Sequence, residues 1–420
     1  MRPRSFAHHG QRNAGAHHRH FGHEFWRVVW ILVLLVLILL VLTPKAGGAQ
    51  NAAANDLLAI ANDHLYNLEY DAAQKYVEAF LAENPNDLRA LNLLPIVLVR
   101  KEMFRQGLLE ASMYGDDGDV YKPEKVPMSP QFESAFKAAL ERAQKAAEAR
   151  LSADPKDKEA MYWLGITHGT RGTYDFTLRR AYRDALGDGK QAVKLHKNLL
   201  ELDPTFTDAK MIVGVNNYVV GSLPWYWKML ASLTGARGNR KRGLEQIRDV
   251  AENGNYARDD ARVLLALLYS REGQREQTVH ILLELTKQYP RSYLLQQELG
   301  SAYRLMERWR EAAAVYDSML AKHAGGAPGF TAIPVSRIAY LAGVSHASKG
   351  DADVALMRYE FASKQDGKSR DVYVYRAQLA AAELNKRLKR TEIAQELYRR
   401  VATEAPNTPE GKAAKKALRD

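Results

Sequence analysis

A pattern that recurs at a spacing of 34 residues between Asp259 and Lys322 constrains this chain more than any other feature. Leu265, Ala266 and Tyr269 return as Leu299, Gly300 and Tyr303, while Thr278, Leu282 and Leu285 return as Ala312, Tyr316 and Met319. Each copy reads as two amphipathic helices joined by a short polar turn, Arg271 to Gln274 in the first and Met306 to Arg308 in the second. A helix pair of this size cannot bury its apolar face alone. It must stack on a neighbour, and a row of such pairs builds a solenoid. Small or short residues at Ala266, Gly300, Thr278 and Ala312 let the two helices of a pair approach closely. Leu265, Leu299, Tyr303 and Tyr316 fill the space to the next pair, and Pro290 ends the first copy.

At these residues the sequence resembles the tetratricopeptide-repeat (TPR) family, whose unit has this length and pattern. The resemblance implies an all-α fold, a right-handed superhelical solenoid of helix pairs, and a style of binding in which a protein or peptide lies on the concave face. It implies no chemistry. Other units follow the pattern from Asn55 onward: Ala61 and His64 with Ala73, Val77 and Phe80; Gly343 and His346 with Ala355, Tyr359 and Ala362; Ala382 with Ala394 and Tyr398. Pro95, inside the apolar run from Leu88 to Arg105, is expected to kink that helix or end it early. Two units are expanded. Thr173 to Gly187 intervene between a first helix around Trp163, Gly165 and His168 and a second expected from Ala192 to Leu202, and should add one more short helix. Residues 221–242 intervene between Gly214 and the second helix marked by Gly243, Ile247 and Val250.

The expected organisation is a disordered basic, His-rich flank (1–27), a signal peptide or membrane anchor (28–49), N-terminal repeats (50–110) and a loop (111–131). Expanded repeats (132–253), regular repeats (254–406) and a polar C-terminal capping helix (407–420) complete it. Val28 to Leu42 is an uninterrupted apolar run of fifteen residues, followed by small residues at Gly47 and Ala49. Two outcomes stay open: cleavage after Ala49, or anchoring by 28–42 in an inner membrane. Both place the repeats on the far side of the membrane, in a periplasm or cell envelope. The six histidines between His8 and His23 could share a cation, but a solvated flank preceding a membrane segment is the preferred reading.

The absence of cysteine from all 420 residues removes disulfides, thiolate zinc sites and thiol nucleophiles. Of the formal charge of +11, residues 1–49 hold +5, leaving a mild excess over the remainder, and no nucleic-acid partner is expected. No catalytic motif, metal site or cofactor-binding loop is present, so no enzyme, cofactor or metal is expected. His64, His168, His196 and His346 fall at helix-pair interfaces, where a packed, hydrogen-bonded histidine is the ordinary outcome. Asn217, Tyr269 and Tyr303 on first helices are the candidate partner-binding residues.

The segment 221–242 adds Trp225 and Trp227 ahead of Arg237, Arg240, Lys241 and Arg242. It reads either as a foot on an anionic membrane surface or as tryptophans packed inside the solenoid behind a solvated basic loop. Its Ser222-Leu223-Pro224, Leu233-Thr234-Gly235 and Gly243-Leu244 also resemble, over about 25 residues, expanded TPR proteins linked to inclusion-body clearance at the mitochondrial outer membrane. The function that follows is an exported, non-enzymatic scaffold for protein–protein interaction, with a peripheral lipid-surface protein as the alternative. A remote third reading is an envelope enzyme with its site in the expanded middle.

Overall fold

The structure is a computed structural model, described for residues 52–109, 127–224, 238–365 and 372–419. Among these residues are seventeen α-helices and no strand. The fold is all-α, a solenoid of helix pairs. The leader 1–49, most of the loop 111–131, and Trp225, Trp227 and Arg237 lie outside the described residues.

By contacts the chain divides into two compact units, one holding Ala73–Leu264 with the described residues up to Asn62, the other Asp63–Ala72 with Leu265–Asp420. The first unit takes most of α1 (Ala52–Tyr66) and α2 (Tyr70–Glu83), then α3 (Leu88–Arg105), α4 (Pro130–Ala153), α5 (Lys158–Tyr174) and α6 (Tyr182–Leu202). It continues through α7 (Lys210–Ser222), α8 (Arg240–Asn253) and the first half of α9 (Arg258–Arg271). The second unit takes the rest of α9 with α10 (Arg275–Gln288), then α11 (Tyr293–Leu305), α12 (Trp309–Ala324), α13 (Val335–Lys349) and α14 (Ala352–Ser363). α15 (Val372–Arg387), α16 (Thr391–Glu404) and the short α17 (Pro409–Ala417) close it.

Local chemistry sets the starts of several helices. The side chains of Asp87, Ser129, Asp157, Asn239 and Thr408 each accept from a backbone N–H three residues on, at 2.8–3.1 Å. Each satisfies one of the donors a first turn leaves open. The turns inside the pairs use left-handed backbone. Gly273 has φ 72°, and the residue 34 positions later, Glu307, repeats it at φ 56°. A glycine adopts that angle freely, whereas a side chain there works against its own Cβ.

The small residues act as their positions predict. A Cβ on Gly300 would lie 2.6 Å from the buried Tyr316 ring, and one on Gly343 2.5 Å from the ring of Tyr359. In the first unit Gly165 faces the His196 imidazole, and Gly243 sits against the backbone of Gly214 and Tyr218. Each second helix therefore lodges a ring or its own backbone where the first helix has no side chain. The last pair is closed by α17, whose Ala414 is buried with Ala382, Ala394, Tyr398 and Val401.

The early end expected at Pro95 and the separate helix expected after α5 are corrected. α3 runs unbroken through Pro95, because Leu88, Leu91, Leu93, Ile96, Val97 and Val99, all at 2% exposure or less, pack it on every side. Tertiary burial there outweighs one missing backbone hydrogen bond. The insertion after α5 adds no separate short helix. α5 runs into a π-helical turn (Asp175–Arg179), Arg180 reverses the chain at φ 59°, and α6 begins at Tyr182. Ala185, Ala192, His196 and Leu199 are the buried residues of α6, at helical spacing, so the inserted residues are in phase with the second helix and join it.

Within the second unit, the α1–α2 turn is tied to the α10–α11 turn, more than 220 residues away in sequence. Arg291 donates to Asp63 Oδ2 at 2.6 Å and Glu69 Oε1 at 2.8 Å, and its backbone N–H to Asn67 Oδ1 at 2.9 Å. Tyr66 stacks on Tyr289 with ring centroids 4.5 Å apart. Nearest-neighbour stacking alone supplies no such contact.

Candidate functional site

Successive first helices place equivalent side chains side by side, and the register is counted from the small residue that faces the second helix. Three residues beyond it stand Asn217, Tyr269 and Tyr303. That step keeps a side chain on the packing face. Asn217 donates to Gln246 Oε1 of α8 at 2.7 Å. Tyr269 and Tyr303 are 6% and 7% exposed, and the Arg308 guanidinium covers the Tyr303 ring at 4.8 Å. All three are engaged inside their own unit.

Three and six residues before the small residue lies a different face. In the second unit it carries Gln297 on α11, Arg337 and Tyr340 on α13, and Arg376 on α15. Tyr340 packs on Tyr359 (6.1 Å) and on Tyr373 (5.7 Å). The guanidinium groups of Arg337 and Arg376 stand over the one Tyr373 ring, at 5.4 and 5.3 Å. Such stacking fixes both cations by their flat faces. Arg376 also donates to Glu410 Oε1 at 3.0 Å. Burial pushes the Tyr340 phenol above its ordinary range, while nearby Arg376 and Arg304 pull it down. Arg304, on α11, likewise lowers the Tyr359 phenol against the rise that burial gives it. Gln297 is fully buried, and neither of its amide atoms has a hydrogen-bond partner among the described residues. Half-exposed Tyr340, Tyr373 and Arg376 give this face its aromatic and cationic character, while Gln297 and Arg337 lie buried beneath it.

In the first unit the same register positions are filled. Tyr162, three before Gly165, is wholly buried among Trp163 (4.7 Å), His196 (5.1 Å), Phe206 (5.2 Å) and Tyr256 (5.5 Å). Asp260, six before Ala266, accepts from Arg100 of α3 at 3.0 Å. Asp208, six before Gly214, accepts the N–H groups of Asn255, Tyr256 and Ala257 at 2.7–3.0 Å. Burial pushes its carboxyl up in spite of those donors. The Thr167 hydroxyl donates to Asn92 across α5 and α3 at 2.8 Å. Ring stacking and ion pairs close this face upon itself.

The four interface histidines are all held. His64 faces Glu69, His168 faces Asp188, His346 faces Asp317, and His196 Nε2 meets the Tyr162 carbonyl at 3.1 Å. Full burial lowers His196 to about 4, so it stays neutral near pH 7. Arg240 lies over Tyr218 at 5.9 Å, and Lys241 and Arg242 are exposed on the first turn of α8. Among the described residues no group of three or more acidic, histidine or cysteine side chains could hold a metal ion, and no helix is long and apolar enough to cross a membrane.

The arginines of the second unit were absent from the sequence-derived candidates. The available signal was an arginine six residues before the small residue in two successive units, at Arg337 and Arg376.

Models of the tetratricopeptide repeat match residues 58–100, 177–210, 260–292 and 295–326. No curated protein matches the chain. Solved structures similar to it include a tetratricopeptide repeat protein from Parabacteroides merdae (15% identity, 76% of this chain and 96% of that one, TM-score 0.28). Yeast Tom70 aligns at 15% identity over 88% of this chain and 97% of its own, with TM-score 0.32. PilF of Pseudomonas aeruginosa aligns at 17% identity over 63% of this chain and 100% of its own, with TM-score 0.36.

Proposed function

Because this chain is a tetratricopeptide-repeat protein, we propose that it is a non-enzymatic scaffold that holds a protein partner on the first-helix face of its second unit. Repeats of this family generally serve protein–protein interaction, and the partner's place on the concave face is part of the proposal. The observation that carries it is the pair of guanidinium groups over Tyr373, beside Tyr340. Positive charge held beside half-exposed phenol rings suits the carboxylates of an acidic segment. The basic flank and apolar run at 1–49 support a place outside the cytosol, with the chain either cleaved after Ala49 or anchored by 28–42.

Fluorescence anisotropy with a labelled acidic peptide and its lysine-substituted counterpart tests the binding face. The acidic peptide should bind, and R337Q/R376Q should weaken it about tenfold or more, with E410Q as the control for the Glu410 pair that R376Q also breaks. Equal binding of both peptides, or an unchanged affinity in the variant, would remove the reading. N-terminal sequencing of the mature chain tests the leader, with Gln50 as first residue if it is cleaved.

A further inference from the structure

We infer that the outer face of α6 is a docking surface for an anionic lipid layer. Arg183, Lys190, Lys194 and Lys197 recur at spacings of seven, four and three residues and are all exposed, so they form one stripe along the helix. Among the described residues none of the four has an ion-pair partner, although ion pairs are common on the neighbouring surfaces. Directly beside the stripe stand Tyr182 and Leu186, 44% and 56% exposed, one turn apart. Phe176, from the π-helical turn, meets the Tyr182 ring edge-on at 5.1 Å and holds it in place. The acidic residues that share the face are Asp184 beside Tyr182 and Glu201 at the far end.

A stripe of cations alone would suit any polyanion. The apolar flank decides between them. An exposed leucine and tyrosine on the edge of a basic stripe match the two layers of a bilayer surface, acyl chains beneath and phosphate headgroups above. A phosphate backbone offers no counterpart to Leu186. The stripe is also continuous with the residues that the sequence inserts into this repeat, Thr173 to Gly187. This surface is separate from the arginine–tyrosine face of the second unit and from the insertion at 221–242.

The test exploits the absence of cysteine from the chain. Gly187 is exposed on the same face and a Cβ there meets nothing within 4 Å, so Gly187→Cys carries an environment-sensitive dye without disturbing the helix. The full chain, labelled there, is mixed with phosphatidylglycerol or phosphatidylcholine vesicles containing a brominated lipid. Quenching at position 187 in the anionic vesicles is the expected result, and K190Q/K194Q/K197Q should raise the lipid concentration needed at least about tenfold. A dye on Leu283→Cys, an exposed leucine of α10, is the reference for membrane binding by other parts of the chain. Quenching at 187 no greater than at 283, or quenching unmoved by the triple variant, would overturn the inference. So would a short single-stranded DNA that binds the stripe while the lipid leaves the dye unquenched.

Discussion

The first-helix faces of the two units are built on one register and put to opposite uses. Three before Gly165 in the first unit stands Tyr162, wholly buried; three before Gly343 in the second stands Tyr340, half-buried beside arginines, although Gln297, three before Gly300, is as buried as Tyr162. The residue six before is acidic at Asp208 and Asp260 and internally bonded, but basic at Arg337 and Arg376. Charge at this position has opposite sign in the two units. The acidic set finds its donors within the fold, in Arg100 and in backbone amides, whereas the basic set is held against the ring of Tyr373. A repeat pattern therefore fixes where a face is, and the residues between the pattern positions fix whether it is closed or open.

The comparison breaks most readily at the tyrosines. Tyr162→Ala should cost about 3–5 kcal/mol, the range for emptying a fully buried aromatic site, whereas Tyr340→Ala should cost less than half of that. Hydrogen exchange of α5 and α13 amides reads the two locally. Equal losses would mean that the second face is as closed as the first. Asp260→Ala should cost about 3 kcal/mol in urea unfolding, because it leaves the Arg100 guanidinium without its carboxylate in a mostly buried setting.

Acid should separate the units next. His196 is lowered to about 4 in the fold against about 6.5 when unfolded, so between those pH values the unfolded chain binds the proton and the native one does not. Stability is whole above about pH 6.5 and falls as the pH drops to about 4, by about 3 kcal/mol in all, then levels off. His196→Phe should flatten that slope in unfolding measured across the window. The smallest effect sharpens the comparison of repeat with repeat. Glu307→Gly places at φ 56° the residue that Gly273 already supplies one repeat earlier, and should raise stability by about 0.5–1 kcal/mol in thermal unfolding.

The helix pairs were legible because their determinants are local and periodic. Gly300 was legible as a position of close approach, whereas Tyr316, expected to reach toward the next pair, sets its ring on that glycine of its own pair. The histidines were legible as packed residues for the same reason. Less legible was the fate of the insertion after α5, since joining α6 in phase depends on where Ala185 and Ala192 land against the packed face. Asn217, Tyr269 and Tyr303 illustrate a sharper limit. Tyr269 and Tyr303, one step of three from the small residue, are buried, whereas Asn217 at the same step is half-buried and bonded to Gln246.

By itself the sequence determined the fold class, the pairing of helices and the places where small residues admit rings, because each follows from spacing within some forty residues of chain. Tertiary structure alone decided that Pro95 does not break its helix, that Arg291 reaches back to Asp63 and Glu69, and that one first-helix face is sealed while the other stays half-open. Those outcomes depend on which side chains meet across large sequence separations, where burial and charge pairing outweigh any local preference.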